Sequence, residues 1–199
     1  FGGPEATVKK LDQMLALPPR FEVGSYNFEI HEMTEMAAVD FGQYAHSNQP
    51  VHHVLYLYAF AGAPHLAQYW VRRVLDELYS PQGFSGDEDN GEMASWYIFS
   101  ALGLYPFCPG HPSYVLGSPL FKKATVHLPN GKELVVEAPH NDAKHVYVQG
   151  VEVDGSVHSA ADIAHEMLVG GCTLHFAMAD RPVDIERAPE DLPFSLSQE

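Results

Sequence analysis

The densest chemistry-bearing run in this chain is Gly86-Asp87-Glu88-Asp89-Asn90-Gly91-Glu92, where three carboxylates are consecutive and a fourth follows closely. Like charges so crowded repel. The run is therefore either a solvated acidic loop or a site that employs the charge, as a calcium ligand set or as catalytic carboxylates. Asp87 and Asp89 are two apart, so both can face one side of an extended segment. The run also precedes a helical stretch, and a helix N-terminus favours the ionised carboxylate. An EF-hand loop does not fit, because its sixth position would be Glu92, where that loop needs glycine.

A second run, His46-Ser47-Asn48-Gln49-Pro50-Val51-His52-His53, also lies at a helix start. Asn48 and Gln49 can offer amide oxygens to a hard cation. Zinc through His46, His52 and His53 is a poorer fit. Tetrahedral zinc needs three or four ligands, and adjacent residues diverge by about 100° around a helix. In the blandest reading Asn48 is a cap and the histidines are hydrogen-bonded wall residues. Trp96 follows the acidic run, and its face could stack on a sugar ring; most other aromatics read as core. There is no glycine-rich phosphate loop and no G-x-S-x-G elbow. Cys108 and Cys172 cannot make a disulfide framework, and neither has a catalytic context.

The elements that position these runs change character near residue 110. Before it, apolar residues recur at helical spacing over 4–17, 50–60, 64–79 and 91–102, with a shorter candidate over 32–39. Pro4, Pro50 and Pro64 suit first helical turns, and Asp89 or Asn90 is the expected cap of the helix after the acidic run. After Pro109 the period becomes two. Strands are predicted over 124–128 and 133–138 around an Asn130-Gly131 turn, then over 146–148 and 151–153 with an Asp154-Gly155 turn after them, and over 173–178, with a short helix over 160–168. The predicted class is α+β, with a helical part (1–110), a small antiparallel β unit (111–183) and a polar tail (184–199). Neither part looks self-sufficient: so few helices with several apolar faces close a bundle poorly.

Composition narrows the function. The 199 residues hold 11 Lys and Arg against 26 Asp and Glu, a formal charge of −15. That argues against nucleic acid and against an anionic membrane surface. No apolar run approaches the roughly 18 residues of a spanning helix. Hydrophobic residues at 46% are enough for a core.

Longer strings carry a resemblance. FGGPEATVKKLDQML, YAHSNQPVHHVLYLYAFAGAP, GDEDNGEMASWYIFSALGLYPFCPG and YVLGSPLFKKATVHLPNG occur in that order over about residues 1–180. Together they resemble glycoside hydrolase family 92, calcium-dependent exo-α-mannosidases that invert anomeric configuration. The resemblance implies that residues 1–110 are closing helices of an (α/α)6 barrel and that the rest is the C-terminal β unit. It implies a general base at Asp89 with Asp87 as helper or alternate. Asn48, Gln49 and Asp89 fall beside calcium, and His46, His53, Trp96 and Glu88 fall near the sugar. Gln49 stands where many relatives have glutamate, which alters the site's charge. The implied substrate is a mannose-containing glycan, and the implied compartment is secreted or cell-envelope. Glu32 and Glu35 stand in the wrong place in the motif order to be the family's catalytic acid. That acid, the N-terminal sandwich and the earlier barrel helices are expected outside this chain, which begins Phe-Gly-Gly and should be inactive alone. The competing reading is a non-enzymatic calcium- or carbohydrate-binding module, which needs the acidic loop but no distant acid.

Overall fold

Proline opens both long helices. In the computed structural model, which describes residues 1–183, 185 and 187–195, α1 (Pro4–Ala16) and α4 (Pro64–Glu77) each begin on it. Its absent N–H costs nothing in a first turn. Leu11 and Leu15 of α1 share one apolar core with Ala67, Val71, Val74 and Leu75 of α4. Between them lie α2 (His31–Ala37) and α3 (Leu57–Phe60), and α5 (Glu92–Ala101) follows the acidic loop. The continuous helix predicted over 50–60 does not form. Gln49–Val51 and Val54–Tyr56 wind as tight 3-10 turns, and only α3 is α-helical. The apolar spacing there suits either winding, and tertiary bonds decide it: Leu55, Tyr56 and Tyr58 are buried, and the ring of His52 is drawn inward.

The strands form a pair of sheets. β1 (Leu104–Tyr105), β2 (Ser113–Leu116) and β7 (Asp162–Ala164) pair antiparallel. The larger sheet contains β3 (Lys123–His127), β4 (Glu133–Glu137), β5 (Tyr147–Val153), β6 (Ser156–His158) and β8 (Cys172–Ala179), in the order β3-β4-β8-β5-β6. α6 (His165–Val169) precedes β8. The expected turns at Asn130-Gly131 and Asp154-Gly155 join β3 to β4 and β5 to β6. The segments 146–148 and 151–153 merge into one strand with an irregularity between Val148 and Gly150. The expected antiparallel unit is corrected to a mixed one, because β4 and β8 run parallel. Alternation fixes which face of a strand is buried but not its direction, and the long return through residues 138–171 supplies the crossover that a parallel pair needs. Of the tail predicted over 184–199, residues 184, 186 and 196–199 lie outside the described residues.

The helical and β parts meet through α4. Arg72, 4% exposed, donates to Pro119 O at 2.9 Å and Asn141 Oδ1 at 2.7 Å. Gln68 Oε1 accepts from Val148 N at 3.1 Å. Burial lowers the Arg72 pKa, since its close partners are neutral oxygens. Among the described residues no helix is long and apolar enough to cross a membrane.

Candidate active site

The acidic loop is organised by the carboxylate between the two aspartates. Glu88 turns back to the start of α5 and accepts from Met93 N at 3.1 Å and Ala94 N at 2.9 Å. These amides belong to a helix's first turn and have no intrahelical acceptor. The expected caps, Asp89 and Asn90, do not serve. Asn90 and Gly91 both take positive φ, 55° and 85°, and Glu92 N donates to Asp89 O at 3.0 Å, closing a tight turn. Glu88 was expected near the sugar; both its oxygens are instead committed to the helix. Asp87 and Asp89 remain exposed on either side of it.

The loop is seated on the second run. Gly86 lies so close to Ser47 that an added Cβ would stand 2.7 Å from Ser47 Cα, so only glycine permits the approach. Gln49 Nε2 donates to Asp87 O at 2.9 Å. Asn48 occupies the cap position of the Gln49–Val51 turn, yet its side chain makes no capping bond. The structure thus brings Asn48, Gln49, Asp87 and Asp89 onto adjoining segments.

The aromatic and histidine expectations divide. His46 is buried, with Nδ1 2.9 Å from Tyr44 OH and Nε2 2.9 Å from Tyr79 OH. Burial drives its pKa well below 6.5, helped by His52. His46 is therefore a wall residue rather than a sugar contact. Trp96 is 2% exposed, lies parallel to Tyr79, and donates from Nε1 to His52 O at 3.1 Å. It offers no face to a ring; the apolar interior outweighs the stacking role expected of it. His53 is exposed, with its ring edge-on to Phe107.

Other residues join the site. His31 Nε2 lies 3.8 Å from Asp87 Oδ2 and 3.6 Å from Glu32 Oε1, and Nδ1 lies 3.2 Å from Glu35 Oε1. The hydrogen bond to Glu35 raises the His31 pKa, with Glu32, Glu35 and Asp87 adding to the effect. The i,i+4 spacing of His31 and Glu35 was the available signal, since it puts both on one face of α2. Glu92 and His52 are in hydrogen-bond contact, Nδ1 to Oε2 at 2.8 Å, a pairing that no spacing rule pointed to.

The donor chemistry suits a hard cation. Amide oxygens from Asn48 and Gln49 and the carboxylate of Asp89 are the ligands calcium takes. The uncommitted Asn48 side chain, and a Gln49 that spends its nitrogen rather than its oxygen on the loop, agree with that use. Zinc is not served: the ring nitrogens of His46 and His52 are all engaged. Among the described residues no three His, Cys, Asp or Glu side chains gather for a metal.

The family model for the glycosyl hydrolase family 92 catalytic domain matches residues 1–180, and the chain belongs to that family. A family 92 inverting mannosidase from Bacteroides thetaiotaomicron is 45% identical, with a TM-score of 0.80 over 98% of this chain and 27% of that one. A family 92 α-mannosidase of the same organism, solved with mannoimidazole, is 30% identical, with a TM-score of 0.84 over 98% and 25%. A protein of Arthroderma benhamiae described as a secreted glycosidase is 28% identical over 75% of this chain and 20% of its own length. The chain thus spans about a quarter of the solved relatives and a fifth of the curated one.

Proposed function

We propose that this chain is the base-bearing and calcium-bearing part of an exo-α-mannosidase that removes terminal α-linked mannose from glycans with inversion. The observation that carries it is the seating of the acidic loop on residues 46–49, within a chain that matches the family over residues 1–180. An inverting hydrolase needs a carboxylate that activates water on the face opposite the leaving oxygen. Asp89 takes that role, with Asp87 beside it. Asn48, Gln49 and Asp89 would hold the calcium, which when bound supplies positive charge beside the sugar hydroxyls. Glu88 keeps the loop shaped by tying it to α5. The acid that protonates the leaving oxygen comes from outside these residues, as do the remaining barrel helices and the sandwich. The relatives' mannosidase titles support the substrate class, and the secreted description of the Arthroderma protein supports a location outside the cytoplasm.

The test is Asp89→Asn in the full-length protein, with an α-mannoside substrate and calcium present. Loss of a general base should lower kcat by about 10²–10⁴-fold, with the fold retained. A normal rate removes Asp89 from the mechanism.

A further inference from the structure

The imidazole of His52 stands between the two halves of the site. It is 1% exposed. Nε2 lies 2.8 Å from the carbonyl oxygen of His46, and Nδ1 lies 2.9 Å from Glu92 Oε1 and 2.8 Å from Oε2. A carbonyl only accepts, so Nε2 donates to it, and one proton bridges Nδ1 and the Glu92 carboxyl. Both ring nitrogens are thus engaged, one by each segment. Glu92 Oε2 is buried, and His52 Nδ1 is its neighbour at 2.8 Å.

The neighbouring ring is held by two hydroxyls. Tyr79 OH donates to Met93 O at 3.3 Å and so accepts from His46 Nε2. Tyr44 OH stands 2.9 Å from His46 Nδ1. The two imidazoles stack at 4.3 Å, so these hydroxyls also hold the surface against which His52 rests.

Each member of the pair is one backbone hydrogen bond from a residue of the proposed calcium set. Glu92 N donates to Asp89 O at 3.0 Å, and His52 N donates to Gln49 O at 3.1 Å. We propose that Glu92 and His52 are positioning residues, a hydrogen-bonded clamp that fixes the acidic loop against residues 46–49 so that oxygen donors from both segments converge. This rests on the functional reading above. Neither residue is assigned a contact with substrate. Ligand-orienting partners of this kind commonly carry much of a metal site's affinity.

The experiment uses the full-length protein, calcium alone as the probe, titration calorimetry for affinity, and hydrogen exchange read by mass spectrometry over residues 84–91 and 45–50. Glu92→Ala should weaken calcium about 10–100-fold and raise exchange in both segments. Formate, a free carboxylate able to enter beside His52, should restore that protection; a general packing defect would not respond to it. Glu92→Gln keeps the volume but not the charge, and so tests the clamp where the alanine variant fails to fold; it should weaken calcium without responding to formate. Calcium affinity within about twofold of wild type in both variants, or unchanged exchange over 84–91, overturns the clamp. Wild-type protein that binds no calcium sinks the functional reading instead, and exchange with its formate response then decides the clamp alone.

Discussion

Replacing Glu88 by alanine separates a structural carboxylate from a sugar ligand. In the structure its two oxygens accept from Met93 N and Ala94 N, at 3.1 Å and 2.9 Å, and these amides lie at the positive end of α5. Loss of a capping acceptor costs about 0.5–2 kcal/mol, and loss of a carboxylate near a helix N-terminus about 0.3–1 kcal/mol. The loop is exposed, so the sum sits toward the low end, about 1–2 kcal/mol for the first turn. A change of that size shifts a local opening equilibrium about 5–30-fold. Hydrogen exchange over residues 92–96 of the full-length protein should accelerate by that factor in Glu88→Ala. Glu88→Gln retains one acceptor oxygen and should show about half the free-energy change. Unchanged exchange at Met93 and Ala94 would refute the capping role. Unchanged exchange together with a raised KM would place Glu88 on the sugar.

Two further outcomes follow from the packing. Gly86→Ala forces a methyl against Ser47 and should lift the loop off residues 46–49. Overpacking of this sort costs about 1–3 kcal/mol, and calcium calorimetry should register it as weaker binding; an unaltered Kd would show that the loop is not seated there in solution. The second concerns alkali. Burial raises the phenol pKa values of Tyr44, Tyr56, Tyr58 and Tyr79, and pushes Tyr105 up to about 12. A phenol whose folded pKa exceeds its unfolded value near 10 stabilises the fold below that pH and loses the contribution as pH rises through it. Alkaline unfolding should therefore begin above about pH 10, with phenolate absorbance appearing together with loss of helical circular dichroism. Smooth ionisation of these phenols before any unfolding would contradict their burial.

Much of this was legible from local pattern. α1 and α4 announced themselves through proline starts and apolar spacing, and the hairpins through Asn130-Gly131 and Asp154-Gly155. The two runs that meet at the site were visible as runs, because carboxylates and amides cluster in few other places in the chain. Their mutual arrangement was not visible, since Gly86 touching Ser47 is a contact across almost forty positions of sequence. The roles of individual side chains depended on the same long-range geometry. Trp96 could have faced a sugar or the core, and packing against Tyr79 and His46 chose the core. Glu88 could have faced a ligand or its own helix, and the left-handed turn at Asn90 and Gly91 sent it to the helix. His52 and Glu92 carry no spacing signal at all; only the fold sets one against the other.

The position of β8 has a consequence for how the protein is made. It is the last strand among the described residues, yet it lies in the middle of the five-stranded sheet, between β4 and β5. During synthesis β4 and β5 leave the ribosome with facing edges unpaired, and neither can be completed until residues 172–179 arrive. Open edges of this kind invite pairing with other chains. α4 leans on β5 through Gln68, so the helical part also waits for the same strand to firm its support. The residues proposed for chemistry precede this strand in the chain and are steadied only when it arrives, which makes residues 172–179 a point where chaperones and truncating mutations would act strongly on the protein.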